Sequence, residues 1–355
     1  MKHQTSNLQH LTSNIQHQTS NFQPQTSNFQ PPTSNLQLPT SNLQHRTSNL
    51  KHQTILVTGG AGFIGSHLVD RLIKENYKVI VIDDLSTGKR ENLNPKAEFY
   101  ELDICNFDKI KPLFQKVDYV FHLAAIPRVP LSVEDPVRTS KVNILGTISV
   151  FKASAESRVK RVVFASSSAV YGNQEKLPFK EDMTPEPVSP YGLQKLVGEQ
   201  FAKLFTNLYR TPIISLRYFN IYGPRIDFDS EYSLVIGKFL KQKIEGKPLT
   251  IYGDGKQTRG FCYVDDAIDA TIKAMESEKL KGGEVINMSS EKSYSINYLA
   301  DLVGGKKQYL PPRDGDVYHT RADITLAKKL LGWQSKVDLK EGLKMVHQWF
   351  EELRQ

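Results

Sequence analysis

The chain has 355 residues, 24% of them charged, with a net charge of +8 and only two cysteines. Cys105 and Cys262 are too few for a disulfide framework or a zinc site and fit a reducing cytoplasm. No apolar run approaches the roughly 20 residues that span a bilayer, and no dense Lys/Arg run marks a nucleic-acid binder, so the balance fits a soluble enzyme with an anionic ligand.

In chain order, residues 1–53 come first and stand apart. Thr-Ser-Asn recurs with a strict heptad period at Thr5, Thr12, Thr19, Thr26, Thr33, Thr40 and Thr47. Each copy has one apolar residue in phase, whereas a coiled-coil seam needs two. Pro24, Pro31, Pro32 and Pro39 break any helix. Without Asp or Glu and with few apolar residues, the segment cannot offset its ordering entropy and is expected to be disordered. It resembles translated tandem-repeat DNA; a partner-binding arm is the alternative. It lacks the continuous apolar core of a signal peptide.

Residues 54–355 suffice for one large α/β unit, or for a nucleotide domain with a smaller companion. Ile55–Thr58 reads as a strand running into Gly59-x-x-Gly62-Phe63-Ile64-Gly65 and an amphipathic helix from Ser66 to Lys74. Strand, glycine turn and helix form a dinucleotide site, because glycines expose backbone N–H groups to a pyrophosphate at the positive end of a helix. Further strands are expected at Val79–Asp83, Phe99–Leu102, Tyr119–Leu123, Arg161–Ala165 and Ile213–Arg217, with helices over Val137–Ala155 and Pro190–Leu208 between them. Continuous apolar strands alternating with helices imply an α/β fold: a Rossmann-type, doubly wound parallel sheet.

The residues of interest cluster at the carboxyl ends of these strands, where such sheets bind ligands. Asp83 ends the second strand about 20 residues beyond the glycines, where a carboxylate binds both adenosine ribose hydroxyls and repels a 2′-phosphate. NAD is therefore favoured over NADP, although Lys89 and Arg90 follow closely. Asp83 reads alternatively as a cap or turn residue. Asp103-Ile104 could meet the adenine, or Asp103 could cap a helix over Phe107–Lys116. Leu123-Ala124-Ala125 follows the fourth strand and Ser167 the fifth. Tyr191 and Lys195 lie one turn apart on a helix face, where an ammonium would lower the phenol pKa and make Tyr191 a general base.

Beyond Arg217 the texture changes. Residues 220–263 and 289–355 are expected to form a smaller α+β substrate-binding subdomain, with 54–219 and about 264–288 forming the nucleotide domain. A helix over Val264–Ser277 and a strand over Glu284–Met288 return to the sheet.

Gly59-x-x-Gly62-x-x-Gly65, Asp83, Leu123-Ala124-Ala125, Ser166-Ser167-x-x-Val170-Tyr171-Gly172, Tyr191-x-x-x-Lys195 and Leu216-Arg217-Tyr218-Phe219-Asn220 resemble the extended short-chain dehydrogenase/reductases, the nucleotide-sugar epimerases and dehydratases. The resemblance covers nearly all of 54–355 and is closest to 4-epimerases of UDP-glucose and UDP-N-acetylglucosamine. It implies a tightly held NAD and a base, Tyr191, that takes the proton of the sugar 4-hydroxyl while C4 gives up hydride. The 4-keto sugar then turns over and both return with inverted configuration. By the same resemblance Lys195 reaches the nicotinamide ribose, Ser167 holds the reacting oxygen, and Asn143 supports the lysine region. Asn220, Arg259 and Arg313 clamp the diphosphate, Asp316 meets the uridine ribose, and Tyr252 packs near the uracil. Gly260 departs from the pattern, which usually has Asp there. The helices bearing Asn143 and Tyr191 build a dimer bundle in similar proteins, so a homodimer is expected.

Related dehydratases place acidic residues between the Ser/Thr and the Val-Tyr-Gly. Here Ser168 and Ala169 stand there, and neither moves a proton as a carboxylate does, which points to epimerisation. Thr320 occupies the position of a bulky tyrosine in strict UDP-glucose epimerases and leaves room for an N-acetyl group. The alternatives are a uronate epimerase or dehydratase, a dehydrogenase releasing NADH, and a catalytically silent NAD-sensing protein.

Overall fold

A computed structural model describes residues 53–228, 235–312 and 318–352. The heptapeptide repeats, Arg313 and Asp316 lie outside the described residues. The apolar run expected to start the fold forms β1 (Thr54–Thr58), and the glycine turn leads into α1 (Phe63–Lys74) and β2 (Lys78–Asp83). Next come β3 (Glu98–Glu101), the short α2 (Phe107–Ile110), β4 (Tyr119–His122) and α3 (Val129–Glu134). The long helix expected over Val137–Ala155 is interrupted. It runs as α4 (Pro136–Ser140), a π-helical segment Lys141–Gly146, and α5 (Thr147–Glu156). The chain continues through β5 (Arg161–Ser167), α6 (Pro190–Tyr209), β6 (Ile213–Tyr218) and β7 (Ile221–Tyr222).

The remaining elements are α7 (Val235–Ile244), β8 (Leu249–Tyr252), β9 (Thr258–Gly260), β10 (Cys262–Tyr263), α8 (Val264–Glu276), β11 (Val285–Met288), β12 (Ser293–Ser295), α9 (Ile296–Val303), β13 (Lys307–Leu310), β14 (His319–Thr320), α10 (Thr325–Leu331) and α11 (Leu339–Glu352). Seven strands form one sheet in the order β11-β6-β5-β4-β1-β2-β3, and every pair in it is parallel. The doubly wound parallel sheet expected from the apolar strands is thus present, with the chain reversing its strand order at β1. Apart from the edge strand β3, the strands of this sheet are largely buried on both faces, as helix-covered parallel strands must be. Three small sheets, β12-β9-β14, β13-β8 and β10-β7, carry the downstream α+β part.

Two apolar clusters cover the sheet. One packs α5 and α6 through Phe151, Phe164, Ala202 and Phe205; the other packs α1 and α8 and continues into Leu249, Ile251, Leu299 and Trp333. Between β5, β6 and α6 lies a buried ion pair. Arg217 donates from Nε and Nη2 to both oxygens of Glu199 at 2.9 and 2.8 Å, and Ser166 donates to the same carboxylate at 2.5 Å. Removing one partner of such a pair leaves a bare buried charge and costs about 3–5 kcal/mol. Among the described residues no helix is long and apolar enough to cross a membrane.

Candidate active site

The glycine turn is built by close backbone approach. Gly59 has φ +75°, and a Cβ there would sit 2.7 Å from the Ala124 nitrogen. A Cβ on Gly65 would lie 2.0 Å from the Gly59 carbonyl oxygen. Gly62 is the N-cap of α1 without a side-chain cap, so Phe63 and Ile64 open the first turn with backbone N–H groups directed out of the helix. The result is a backbone-lined cradle at a positive helix end, whose backbone approaches leave no room for a Cβ at Gly59 or Gly65. It fits the pyrophosphate of a dinucleotide.

Asp83 stands beside this cradle. Its carboxylate accepts N–H bonds from Ala61 and Leu85, both at 2.9 Å. Burial pushes its pKa up, and the two N–H donors oppose that. Asp83 caps no helix; its bond from Leu85 is a local turn contact, while the bond from Ala61 ties the glycine turn to the end of β2. Asp103 accepts from the Cys105 N–H at 2.8 Å, whereas Asn106 caps α2. The capping alternative for Asp103 therefore falls to its neighbour three residues on. Ile104 is buried, with its side chain packed where a Cβ on Gly146 would lie.

Beyond β4, the Leu123 N–H donates to the Thr58 carbonyl at 3.1 Å and the Ala124 N–H to Thr58 Oγ1 at 3.3 Å. Ala125 completes this half-buried edge. Behind it, Thr58 Oγ1, the His122 ring and Thr147 Oγ1 form a buried chain with contacts of 2.7 and 3.0 Å. Burial drives His122 down to about 3, which keeps the imidazole neutral. Asn143, within the π-helical segment, accepts the Ile126 N–H at 2.8 Å and donates to the Ile126 carbonyl at 3.1 Å and to Gln194 Oε1 at 2.7 Å. It thus fixes the loop after β4 and the residue next to Lys195, not the lysine itself.

Tyr191 and Lys195 project from α6 into the end of β5. Ser189 caps α6 by accepting the Gly192 N–H at 3.2 Å, and Ser132 of α3 accepts the Tyr191 N–H at 3.0 Å. Ser167 stands beside the Tyr191 hydroxyl, and Lys195 Nζ donates to the Ala165 carbonyl at 2.8 Å. The expected lowering of the phenol pKa is not found. Burial pushes Tyr191 up to about 12 and Lys195 down to about 7, with the nearby Ser167 alone working the other way for Tyr191. The reason is geometric: the ammonium sits 5.8 Å from the Tyr191 ring centre and is engaged by Ala165, so lost hydration outweighs attraction. Phenolate formation here calls for a further positive charge at the hydroxyl.

Downstream, Asn220 (φ +39°) donates to the Gly260 carbonyl at 3.0 Å, joining β7 to β9. Arg259 on β9 donates from Nη1 to the carbonyls of Thr258 and Tyr318 at 2.9 and 3.1 Å. A side chain at Gly260 would meet Ser289 Oγ at 2.7 Å, which accounts for glycine where the family pattern has Asp. Lys238 Nζ lies 3.4 Å from the Tyr252 hydroxyl and 5.0 Å over its ring. Thr320 pairs with Arg259 across β14 and β9; it is buried, and its Oγ1 has no hydrogen-bond partner among the described residues. Three clusters therefore assemble: Gly59, Gly62, Gly65, Asp83 and Ala124; Ser167, Tyr191 and Lys195; Asn220, Arg259 and Thr320. Sequence reasoning missed Ser132 and the Thr58–His122–Thr147 chain, whose only signal is contact between distant segments.

Residues 55–289 match the model of the NAD dependent epimerase/dehydratase family. The chain is 40% identical to the crystal structure of a UDP-glucose 4-epimerase from Thermotoga maritima with UDP-glucose, covering 85% of this chain and 100% of that one at a TM-score of 0.81. It is 39% identical to a UDP-N-acetylglucosamine 4-epimerase from Methanobrevibacter ruminantium in complex with UDP-N-acetylmuramic acid, covering 85% and 99% at 0.81. A UDP-glucuronic acid 4-epimerase from Bacillus cereus, solved with UDP-glucuronic acid and NAD, is 38% identical, with 85% and 100% covered at 0.78. The chain belongs to the NAD dependent epimerase/dehydratase family, and NAD is its cofactor.

Proposed function

We propose that this family member is a UDP-hexose 4-epimerase acting on UDP-N-acetylglucosamine, UDP-glucose or both. The observation that carries the reading is the buried Tyr191 with Ser167 at its hydroxyl and Lys195 one turn on, and with Ser168 and Ala169 where an eliminating enzyme needs carboxylates. One group that both takes and returns a proton suffices for inversion, whereas loss of water needs a second acid/base pair. When bound, NAD supplies a hydride acceptor that is also its donor, together with the positive ring that the buried phenol otherwise lacks.

The chain's own residues do the rest. Ser167 and Tyr191 hold the sugar 4-oxygen between them, and Tyr191 moves its proton. Lys195, fixed by Ala165, stands at the far side of the phenol and serves the nicotinamide ribose. Glycines 59, 62 and 65 hold the pyrophosphate, with Phe63 and Ile64 at the helix start, Asp83 on the adenosine ribose, Asp103 and Ile104 at the adenine, and Leu123 to Ala125 along the cofactor edge. Asn143 keeps the β4 loop and α6 in register. Asn220, Arg259 and Arg313 hold the substrate diphosphate through charge-assisted bonds, Asp316 the uridine ribose and Tyr252 the uracil. Residues 220–263 and 289–355 make up this substrate side.

Thr320 supports an N-acetyl substituent: it is a small residue with an unpartnered hydroxyl, and a tyrosine there would fill the space. Thr320→Tyr is expected to lower kcat/KM for UDP-N-acetylglucosamine by about tenfold or more while sparing UDP-glucose. Product analysis with both sugars and UDP-glucuronate checks it; equal losses on both hexoses would remove Thr320 from substrate choice.

A homodimer is part of the same reading. Val137 and Leu145 in the α4–α5 run and Leu193, Leu204 and Leu208 on α6 are exposed. Apolar side chains repeated on two neighbouring helices mark an association face more than a solvated surface. Light scattering is expected to give twice the chain mass; a monomeric mass contradicts it.

A further inference from the structure

Residues 223–228, between β7 and the undescribed stretch before α7, are tied down at five points. Gly223 packs on the start of α8, where a Cβ would lie 2.4 Å from Val264, and faces the Phe63 ring of α1 at 3.6 Å. The Pro224 carbonyl accepts from His67 Nε2 at 2.9 Å, one turn further along α1. Arg225 pairs with Asp70 at 2.8 Å, on the next turn. The segment then turns away from α1: Asp227 pairs with Arg128, the residue that opens α3 in the loop after β4. Phe228 is buried against Trp349 and Phe350 of α11, which holds the far end.

These contacts close a circuit around the cofactor cradle. Its floor is the approach of Gly59 to Ala124, and one wall is the first half of α1. The opposite wall is the loop from Ala124 to Arg128, pinned by Asn143 at Ile126 and by Ser132 at Tyr191. The Arg128–Asp227 pair joins the walls across 99 residues of sequence. Its other fastenings run to α1, to the start of α8 and, at Phe228, to α11, so this pair is what ties the segment to the β4 loop.

We propose that residues 223–228 form a strap over the NAD pyrophosphate, and that the Arg128–Asp227 pair is the clasp that keeps the cofactor in place between turnovers. The inference rests on the glycine turn being the NAD site and not on the choice of sugar. The chemistry gives the strap a purpose. An epimerase regenerates its oxidised cofactor in every cycle, so exchange with solution brings it no gain, and release midway would strand the oxidised sugar. The guanidinium keeps about a fifth of its surface exposed and the carboxylate somewhat over a third, so the pair can part without unfolding the core. It behaves as a latch more than as a core ion pair.

The test is cofactor retention by the full-length protein. Purified wild-type chain passed through gel filtration in NAD-free buffer is expected to keep NAD, measured by extraction and chromatography. Asp227→Asn, nearly isosteric, is expected to release it about tenfold faster, because losing one partner of a charged contact acts mainly on dissociation. The exchanged pair Arg128→Asp with Asp227→Arg restores the attraction and is expected to recover retention. Thermal unfolding in saturating NAD shows that each variant is folded. Wild-type retention by Asp227→Asn overturns the clasp while leaving the NAD site intact. So does a folded exchanged pair that still loses NAD, or a wild-type chain that sheds NAD on the column.

Discussion

Tyr191→Phe is expected to lower kcat by about 10²–10⁴-fold, the range of a positioned proton-transfer group, while NAD stays bound. The substitution removes one oxygen and leaves the ring, whose packing contributes to a side chain only 9% exposed. Lys195 keeps its bond to Ala165, and the backbone N–H of residue 191 keeps Ser132. The folded site should thus be intact with its proton carrier gone. The structure also predicts a pH effect. Burial holds the free phenol up to about 12 and the positive ring of bound NAD draws it down, so the deprotonated fraction grows as pH rises toward the lowered value. Wild-type kcat should therefore climb toward alkaline pH, and residual Tyr191→Phe activity should not. Steady-state rates from pH 6 to about 10 would check both features. A Phe variant within a few-fold of wild type would remove Tyr191 from the chemistry.

The second large effect is expected at Gly65. Its added Cβ would meet Gly59 O at 2.0 Å, Gly59 C at 2.8 Å and Gly60 Cα at 3.0 Å, all of them backbone atoms. No side chain can move aside, so the turn between β1 and α1 must open. Gly65→Ala should cost about 3 kcal/mol or more of stability and lose bound NAD. Gly62→Ala is the control, because its Cβ would have only Gly59 O nearby, at 3.3 Å. Chemical denaturation and NAD content on both variants distinguish a steric turn from a general intolerance of α1. Equal stability of the two would contradict the close-approach account.

What the sequence made legible was whatever depends on short-range pattern. Ile55-Leu56-Val57 before three spaced glycines could only serve a buried strand and a tight turn, and β1 with its cradle is there. The Tyr191–Lys195 spacing places both on one face of α6, and the fall in apolar periodicity after Arg217 marks the small sheets. Errors came where distant segments meet. The helix over Val137–Ala155 is broken by a π-helical segment because Asn143 spends its side chain on both backbone groups of Ile126 and on Gln194. Such interruptions are common where a helix serves a functional site. The direction of the Tyr191 shift was misjudged because spacing reveals a neighbouring lysine but not the burial of both groups. Asp103 lost its capping role to Asn106, a shift of three residues that local propensity does not resolve. The Arg128–Asp227 contact leaves no local signature at all.

The central claim is that one buried phenol and a hydride that never leaves the protein invert a single carbon. The direct measurement is turnover of UDP-N-acetylglucosamine and UDP-glucose in D2O, followed by NMR and mass spectrometry of the products. The expected product is the C4 epimer at unchanged mass, with the original hydrogen still on C4 and no free NADH accumulating. Deuterium at C4, or a product lighter by one water, would contradict it.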